Sequence, residues 1–430
     1  MSRARDNANL GAQAGSGLDA SDITSGALGA SVTGGAGLAV STATTTALNA
    51  KAPLASPTFT GTTTVSGDLV PSTPLSHRNM IINGAMQVSQ RGTSQTVTSS
   101  AYAQAPDRFK LGLRACGTFV ASQSTEAPAG FVNSYKVDCT VADASLDANS
   151  YLMLSTKIEG QDLVHLKKGT ASTEAFTISF YVRSSITGTY VFEVQDEDNS
   201  RHIAQTYAIS SADTWERKEL TFAGDTSDPL TYDNSLSFEL TWSLARGTDY
   251  TSGTLATSWA DKVNGTEAGG LTVNLGSSTS NDFHLTGVQL ELGSNATPFE
   301  HRSYGEELRR CQRYYQRYGS PKTFVTTASL GFHDATIWGW CLPLDGDDCA
   351  TTHPLPVEMR TTPTASITEA HIELSNSITN FNSGNTLQAQ GCSSSHLSLH
   401  FDTDEGLNTV NIIAWTFQSS AGYYDLSAEL

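Results

Sequence analysis

Aromatic and carboxylate side chains are the residues of this sequence best suited to chemistry with sugars. Aromatic faces stack against the C–H surfaces of sugar rings, and amide or carboxylate groups bond the hydroxyls. Cleavage of a glycan needs two carboxylates held about 5–10 Å apart, and among 43 acidic residues no pair stands out by spacing. Aromatic candidates for glycan contact, each of which could instead pack in a core or between subunits, are Trp338, Trp340, Tyr423, Tyr424, Trp259 and Tyr250.

Two acidic clusters have part of the spacing of a calcium-binding loop. Asp196, Asp198 and Ser200 match its first three side-chain positions, but Arg201 stands where the loop needs glycine. The cluster at 345–348 also lacks the glycine that should follow. Because Asp and Asn are favoured in turns, we interpret both clusters as solvated hairpin turns.

Motifs of common enzymes are absent from the chain. It contains no Ser-x-x-Lys, Gly-x-Ser-x-Gly or His-Glu-x-x-His motif and no glycine-rich phosphate loop. We therefore expect no enzymatic activity and no cofactor. The formal net charge of −18, from 25 basic and 43 acidic residues, disfavours binding to nucleic acid or to an anionic membrane.

Cysteine usage and the ends of the chain bear on its compartment. The six cysteines are scattered without a Cys-x-x-Cys pair, which argues against a zinc site or a disulfide framework and favours reduced core residues. The N-terminal stretch has no apolar core of a secretory signal, and no run of 18 apolar residues is present. We expect synthesis in a cytoplasm and no membrane insertion.

Alternating apolar residues predict a mainly β fold from about residue 76 to residue 302. Turn-forming residues separate the alternating runs, and long helices do not intervene. This spacing predicts an antiparallel, jelly-roll-like β-sandwich. Its predicted inward-facing residues are Phe176, Ile178, Phe180 and Val182, then Tyr190, Phe192 and Val194, and then Leu236, Phe238, Leu240, Trp242 and Leu244.

The rest of the chain is organised around the stretch 283–318. Its alternation slips by one residue, which predicts a β-bulge at Gly287. Pro298 then enforces an extended path. Ser303 and Glu306 form a capping box that predicts the start of a short linking helix over 303–318. A second, smaller β-sandwich is predicted for residues 319–430.

One stripe of the predicted helix is apolar or aromatic. Leu308, Cys311, Tyr315 and Tyr318 recur at helical spacing, whereas arginines occupy the other positions. This stripe predicts either contact with other subunits around an axis or packing against the chain's own sandwich.

Residues 1–75 are dense in Ala, Gly, Ser and Thr and low in charge. Alone, such a segment buries too little apolar surface to offset its ordering entropy. It is either a disordered leader or an extended attachment segment that becomes ordered against other subunits.

The stretch TGVQLELGSNATPFEHRSYGEELRRCQRYYQRY (286–318) resembles the junction of bacteriophage and prophage tail-fibre proteins, which bind receptors. NMIINGAMQVSQRGTS (79–94), APDRFKLG (105–112) and SADTWERKELTFAGDTSD (211–228) resemble the same family and follow its order. KAPLASPTFTGTTTVSGDLVPSTP (51–74) resembles a unit found near the start of tail fibres. Among these pieces, ELRRCQRYYQRY is the most specific.

This resemblance implies a non-enzymatic homotrimer in the virion tail. Residues 1–75 would attach to a tail, baseplate or adaptor protein, residues 76–302 would form a carbohydrate-binding-module-like sandwich, and residues 319–430 would be the receptor-binding tip. The receptor would be a host surface glycan or protein. Such sandwiches often hold a structural calcium near their first and last strands, here at Asn83 and Asp282. A glycan-cleaving tailspike and a structural spacer or adaptor are the alternatives.

Overall fold

A computed structural model describes most of the chain after residue 75. The described residues are 76–98, 100–318, 338–339, 342–345, 348–368, 386–389, 393–402, 413–414 and 423–430. They belong to one compact unit, Pro71–Leu430. The predicted attachment segment 1–75 lies outside them, as does much of the predicted tip. Among the described residues, no helix has the length and apolar character needed to cross a membrane.

Thirteen strands form a two-sheet β-sandwich, as the alternation predicted. In chain order they are β1 (Ser94–Val97), β2 (Tyr102–Ala103), β3 (Phe109–Arg114), β4 (Thr118–Ser124), β5 (Ser134–Val141), β6 (Tyr151–Glu159), β7 (Phe176–Ser184), β8 (Gly188–Asp196), β9 (Arg201–Ile209), β10 (Glu216–Phe222), β11 (Leu236–Arg246), β12 (Ala260–Asp261) and β13 (Asp282–Leu292). A four-residue helix, α1 (Thr248–Thr251), and 3₁₀ helices at Gly160–Leu166, Asn264–Thr266 and Leu275–Ser277 connect them.

The two sheets are antiparallel throughout. One has six strands in the order β1-β4-β5-β13-β7-β10, and the other has seven in the order β12-β9-β8-β11-β6-β3-β2. The chain crosses repeatedly between the sheets, as in a jelly roll. Because successive side chains of a strand point to opposite faces, each sheet has an inner face toward the core and an outer face.

The core between the sheets is rich in aromatic residues. The predicted inward-facing residues of β7, β8 and β11 are buried, except that Leu236 at the start of β11 is half-buried. The Trp242 ring is fully buried and lies 4.9 Å from Phe192 and 5.6 Å from Phe180 between ring centroids. Edge-to-face geometry at these distances is the preferred aromatic packing, so this cluster fixes how the two sheets face each other.

The predicted bulge at Gly287 is confirmed. The pairing of β13 with β7 shifts register between Thr286 and Gln289, and Gly287 has a φ of +61°. A Cβ atom there would lie 2.7 Å from Phe131 Cζ and 2.9 Å from the Tyr181 ring. Both the left-handed backbone and the lack of space therefore require glycine.

The linking helix is shorter than the spacing predicted. Helix α2 (Tyr304–Gln312) begins after Ser303, whose Oγ accepts a hydrogen bond from Glu306 N at 3.3 Å. The chain then enters strand β14 (Tyr315–Tyr318). The prediction of helix to residue 318 is therefore wrong, because strand pairing with the C-terminal residues 423–427 overrides the local helical pattern.

Beyond the helix, the described residues contribute strands to three smaller sheets. These strands are β15 (Trp338–Gly339), β16 (Leu342–Asp345), β17 (Asp348–Pro354), β18 (Thr364–Thr368), β19 (Thr386–Ala389), β20 (His396–Asp402), β21 (Ile413–Ala414) and β22 (Tyr423–Ser427). The sheet orders are β14-β22-β18, β15-β21 and β16-β17-β20-β19. β-Structure therefore continues after α2, as predicted.

The C-terminal residues pack back onto the sandwich. The Glu429 carboxylate lies 2.5 Å from Arg108 Nη1 and 2.9 Å from Arg91 Nη2. Arg360 donates to Asn234 O at 2.9 Å and accepts from the Asn234 side chain at 2.7 Å. The two β regions are thus joined by direct contacts besides the chain connection.

Candidate functional site

An open groove lies on the outer face of the seven-stranded sheet, across β2, β3, β6 and β11. Core residues such as Leu111 and Leu154 alternate with the groove residues on the same strands. The groove has a volume of about 120 Å³, which is below the roughly 300–1,000 Å³ of sites that enclose a small molecule. Its lining residues are Tyr102, Lys110, Gly112, Met153, Ser155, Lys157 and Glu239.

Gly112 keeps the floor of the groove open. It pairs with Tyr102 on β2 and with Met153 on β6. A Cβ atom on Gly112 would lie 3.2 Å from Met153 Cε and 3.5 Å from Tyr102 Cε1. A long side chain at this position would therefore fill the space between the aromatic ring and the thioether.

Three tyrosines lie one after another beside the groove. Tyr102 is 56 % exposed. Tyr151 shares a face of β6 with Met153, and burial together with a hydrogen bond to Tyr102 raises the pKa of its phenol. The ring of Tyr250 meets that of Tyr151 edge-on at 6.1 Å. Rings on an open sheet face provide stacking surfaces of the kind that sugar rings use.

Two amines and one carboxylate border these rings. Lys110 Nζ lies 3.6 Å from the centroid of the Tyr102 ring. Lys157 Nζ lies 4.0 Å from Glu239 Oε2 and donates to Leu430 O at 3.3 Å. Charged donors and acceptors beside an aromatic surface are the groups that orient a polar ligand such as a sugar.

The remainder of the same sheet face is covered by the segment 247–277. Beneath it, His202 Nδ1 lies 2.6 Å from Glu193 Oε1, and neither side chain is exposed. His202 Nε2 lies 3.1 Å from Thr266 Oγ1 of the covering segment. On β11, Thr241 and Ser243 are also buried, and Glu239 is the β11 residue that lines the groove.

The predicted glycan-contacting aromatics fall in different places. Tyr250 lies at the end of the tyrosine row, and the guanidinium carbon of Arg246 lies 4.9 Å from its ring centroid. Trp259 is half-buried, donates from Nε1 to Ala223 O at 2.8 Å and packs 6.0 Å from Phe238. It thus packs at the edge of the core, the alternative considered for these residues.

The other four aromatic candidates are described only in part. Trp338 lies on β15, and Tyr423 and Tyr424 lie on β22, but their side chains and the whole of Trp340 are outside the described residues. Their contact with a glycan stays a prediction.

The sequence-based reasoning missed Tyr102, Tyr151, Lys110 and Lys157. One available pattern is the alternation in FKLGLR (109–114), which places Lys110 opposite in phase to Leu111 and so predicts that it faces outward. That pattern says nothing about which strand lies beside it, and the groove exists only because β2, β3, β6 and β11 are neighbours.

A serine, a histidine and an aspartate meet on β5 and β13. Ser134 Oγ lies 3.1 Å from His284 Nδ1, and Asp282 Oδ2 lies 3.6 Å from His284 Nε2. Ser134 and His284 are fully buried, and the serine hydroxyl donates to Glu126 O at 2.6 Å. A nucleophilic serine must be reachable and must give its proton to a base. This group is therefore structural.

The side chains of Asn83 and Asp282 make contacts within the chain, and a structural calcium near them stays a prediction. The Asn83 side chain donates to Val88 O at 2.9 Å and to Asp107 O at 2.8 Å, and it accepts from Val88 N at 2.9 Å. The Asp282 carboxylate faces cationic Arg183 at 3.6 Å. Among the described residues, no three or more His, Cys, Asp or Glu side chains are grouped to hold a metal ion.

The first acidic cluster lies at the turn between β8 and β9, as predicted, but its Asp196 is buried rather than solvated. Asp198 accepts from Thr231 N at 2.9 Å and from Ser237 Oγ at 2.6 Å. Asp196 Oδ2 lies 2.6 Å from Lys168 Nζ, so a buried ammonium balances it. In the second cluster, Asp345 pairs with Asp348 across a β16–β17 hairpin.

The proposed oligomer stripe does not form on one helix face. Tyr315 and Tyr318 lie on β14, beyond the end of α2. Cys311 and Tyr315 are buried within their own chain, where the Arg91 guanidinium lies 3.6 Å from the Tyr315 ring centroid. Leu308 is half-buried. Cys311 and Tyr315 therefore pack within their own chain, and contact of the stripe with a second chain stays a prediction.

The described cysteines Cys116, Cys139 and Cys311 are buried free thiols, as predicted for reduced core residues. Burial, and to a smaller extent the nearby Asp143 carboxylate, raises the pKa of Cys116 to about 12. A thiol with a raised pKa is a poor nucleophile near neutral pH, so these cysteines do not suggest catalysis.

No protein-family model and no curated protein matches the chain. The enzymatically active domain of tailspike protein 4 from bacteriophage CBA120 aligns over 50% of this chain and only 21% of its own, at 10% identity and a TM-score of 0.28. A family 11 carbohydrate-binding module from Clostridium thermocellum aligns over 49% and 98% of the two chains, at 10% identity and a TM-score of 0.24. A xylan-binding domain from Paenibacillus barcinonensis aligns over 51% and 96%, at 11% identity and a TM-score of 0.23. Scores this low do not assign a function to the chain.

Proposed function

We propose that this protein binds glycans in the groove on the outer face of the seven-stranded sheet. The observation that carries the proposal is the exposed ring of Tyr102, which stands beside Lys110 and above a floor opened by Gly112. Because the Lys110 ammonium lies over one face of the Tyr102 ring, a sugar ring would stack on the other face, with its substituents at the ring edge bonding to the lysine and glutamate groups nearby.

Binding without cleavage is the activity that the groove supports. Of its described lining residues, Glu239 alone carries a carboxylate, and that carboxylate lies 4.0 Å from Lys157. Glycoside hydrolysis by the usual mechanism needs a second carboxylate across the scissile bond. We therefore infer a non-enzymatic protein rather than a glycan-cleaving tailspike.

We further propose that the chain is a phage or prophage tail fibre. The sequence resemblance at 79–94, 105–112, 211–228 and 286–318 supports this proposal. In this proposal the protein is a homotrimer of the virion tail, residues 1–75 attach it to the tail, and its β-domains recognise a host surface glycan. In this proposal the groove is one glycan site in the sandwich, and residues 319–430 would supply further receptor contacts.

The test is glycan binding by the wild-type chain and by two groove variants. Tyr102→Ala removes the stacking surface and should weaken binding by about tenfold or more. Gly112→Leu fills the floor and should abolish binding, while circular dichroism and the melting midpoint show whether the sandwich still folds. Tyr232→Ala is the control, because Tyr232 is also an exposed tyrosine (44 %) but does not line the groove.

Glycan-array signals confirmed by calorimetric titration provide the measurement. Loss of binding in both groove variants, with Tyr232→Ala unchanged, would support the proposal. If folded Tyr102→Ala and Gly112→Leu proteins bind every glycan as the wild type does, the groove is not the binding site.

A further inference from the structure

Lys110 differs from the other lysines that the structure describes in having no carboxylate close to its ammonium. The others each lie within 4.0 Å of a carboxylate oxygen. No described carboxylate lies that close to Lys110, whose ammonium instead rests on the Tyr102 ring at 3.6 Å. In a chain of net charge −18, a lysine without an acidic partner is unusual.

The surroundings of Lys110 favour an added negative charge. The side chain is half-buried. Burial, and to a smaller extent repulsion from the Lys157 ammonium, lowers the pKa of Lys110. The other charged or titratable groups that act on it are Tyr102, Glu239 and Glu429. Glu239 lies against Lys157, and Glu429 lies against Arg108, so both carboxylates already have cationic partners.

We propose that the groove selects glycans that carry a carboxylate, with Lys110 as the partner of that carboxylate. This inference rests on the proposed glycan-binding function. A ligand carboxylate beside Lys110 would offset the repulsion between the two ammonium groups, which a neutral hydroxyl does not do. It would also form a charge-assisted hydrogen bond, which is roughly twice as strong as a neutral one.

Tyr102 and Lys110 then divide the recognition between them. The Tyr102 ring offers a stacking surface to any sugar, whereas the Lys110 ammonium 3.6 Å from its centroid distinguishes an acidic sugar from a neutral one. Loss of the ammonium should therefore remove the preference for acidic glycans and leave part of the stacking contribution in place.

Matched glycan pairs test this inference. The probes differ only in whether one ring carries a carboxylate or a hydroxymethyl group: glucuronic acid against glucose, and galacturonic acid against galactose, each within the same oligosaccharide. The wild-type protein should bind the acidic member of at least one pair about tenfold or more tightly. Lys110→Gln should reduce that ratio to nearly one, and Lys110→Arg, which keeps the charge, should retain most of it.

Lys136→Gln is the control, because it removes the same charge from β5 of the opposite sheet, where Lys136 lies 3.1 Å from Asp138. If Gly112→Leu blocks binding but the wild type binds acidic and neutral members equally, the selectivity is wrong and the glycan-binding function stands. An acidic preference that survives in Lys110→Gln also overturns the inference. If no glycan of the panel binds in the groove, both proposals fail.

Discussion

Gly287 and Gly112 each leave room for neighbouring side chains, but for different physical reasons. Gly287 has a left-handed backbone and would push a Cβ atom to 2.7 Å from Phe131, so both conformation and space require glycine. Gly112 lies on a regular strand, where the nearest atom to its Cβ would be the flexible end of Met153 at 3.2 Å. Substitution at Gly287 should therefore damage the fold, whereas substitution at Gly112 should mainly damage the groove.

We expect Gly287→Val to lower the free energy of unfolding by about 1–3 kcal/mol. Gly305→Val is the matched control, because no atom lies within 4 Å of a Cβ at Gly305, which lies in the first turn of α2. Urea unfolding of both variants provides the measurement. Equal stability of Gly287→Val and the wild type would contradict the requirement for glycine in the bulge.

Lys167 and Lys168 are adjacent in the sequence but differ in burial. Lys168 is 2 % exposed and lies 2.6 Å from Asp196 and 3.2 Å from Asp225, whereas the ion pair of Lys167 with Glu174 is exposed. Lys168→Met leaves the buried Asp196 carboxylate without its cation, although Asp225 keeps Arg201 at 2.8 Å, and should cost about 3 kcal/mol. Lys167→Met should cost at most about 1 kcal/mol. Similar unfolding free energies for the two variants would contradict this account of the buried cluster.

At the scale of elements, local patterns predicted the strands better than the helix. Alternation in β7, β8 and β11 predicted which residues face the core, and the slip at Gly287 predicted the bulge. The helix was predicted too long because Leu308, Cys311, Tyr315 and Tyr318 satisfy helical spacing. Residues 315–318 form a strand because β14 pairs with β22, more than a hundred residues away. Local spacing cannot predict that pairing.

The groove was beyond prediction for a related reason. Tyr102, Lys110 and Tyr151 lie on three strands, and their meeting depends on the neighbour order β2-β3-β6. Alternation gives the face of each side chain but not the partner of each strand. Which part of the sheet face stays open also depends on where the segment 247–277 packs. No local sequence pattern predicts that packing.

The contact of the C-terminal residues with the sandwich predicts a pH-dependent stability. Burial tends to raise the pKa of Glu429, but Arg108 and Arg91 outweigh burial and hold that pKa below its usual range. A lowered pKa means that the ionised carboxylate stabilises the fold above the unfolded value of about 4.3. That contribution is lost as the pH falls through the folded pKa.

We expect Glu429→Gln to cost about 3 kcal/mol at neutral pH, because Arg108 is 3 % exposed and keeps its charge. The difference from the wild type should shrink as the pH falls below about 4. Glu174→Gln, in an exposed ion pair, should cost at most about 1 kcal/mol. Urea unfolding at several pH values measures both effects. A Glu429→Gln penalty that does not change with pH would contradict the ion-pair explanation.

At the scale of the whole molecule, the described residues form one compact unit, Pro71–Leu430, that carries the groove. Residues 1–75 are the proposed attachment segment. A chain of residues 76–430 should therefore fold, keep the oligomeric state of the full chain and bind glycans with unchanged affinity, but it should fail to join tails. Light scattering, calorimetry and tail incorporation measure these properties. Loss of folding on this deletion would show that residues 1–75 belong to a core.

The most direct test of glycan recognition is the crystal structure of the full chain with an acidic oligosaccharide that binds it. We expect a sugar ring stacked on Tyr102 above Gly112, with the carboxylate within hydrogen-bond distance of Lys110 Nζ. An oligosaccharide bound elsewhere, with the groove between Tyr102 and Lys157 empty, would contradict the central claim.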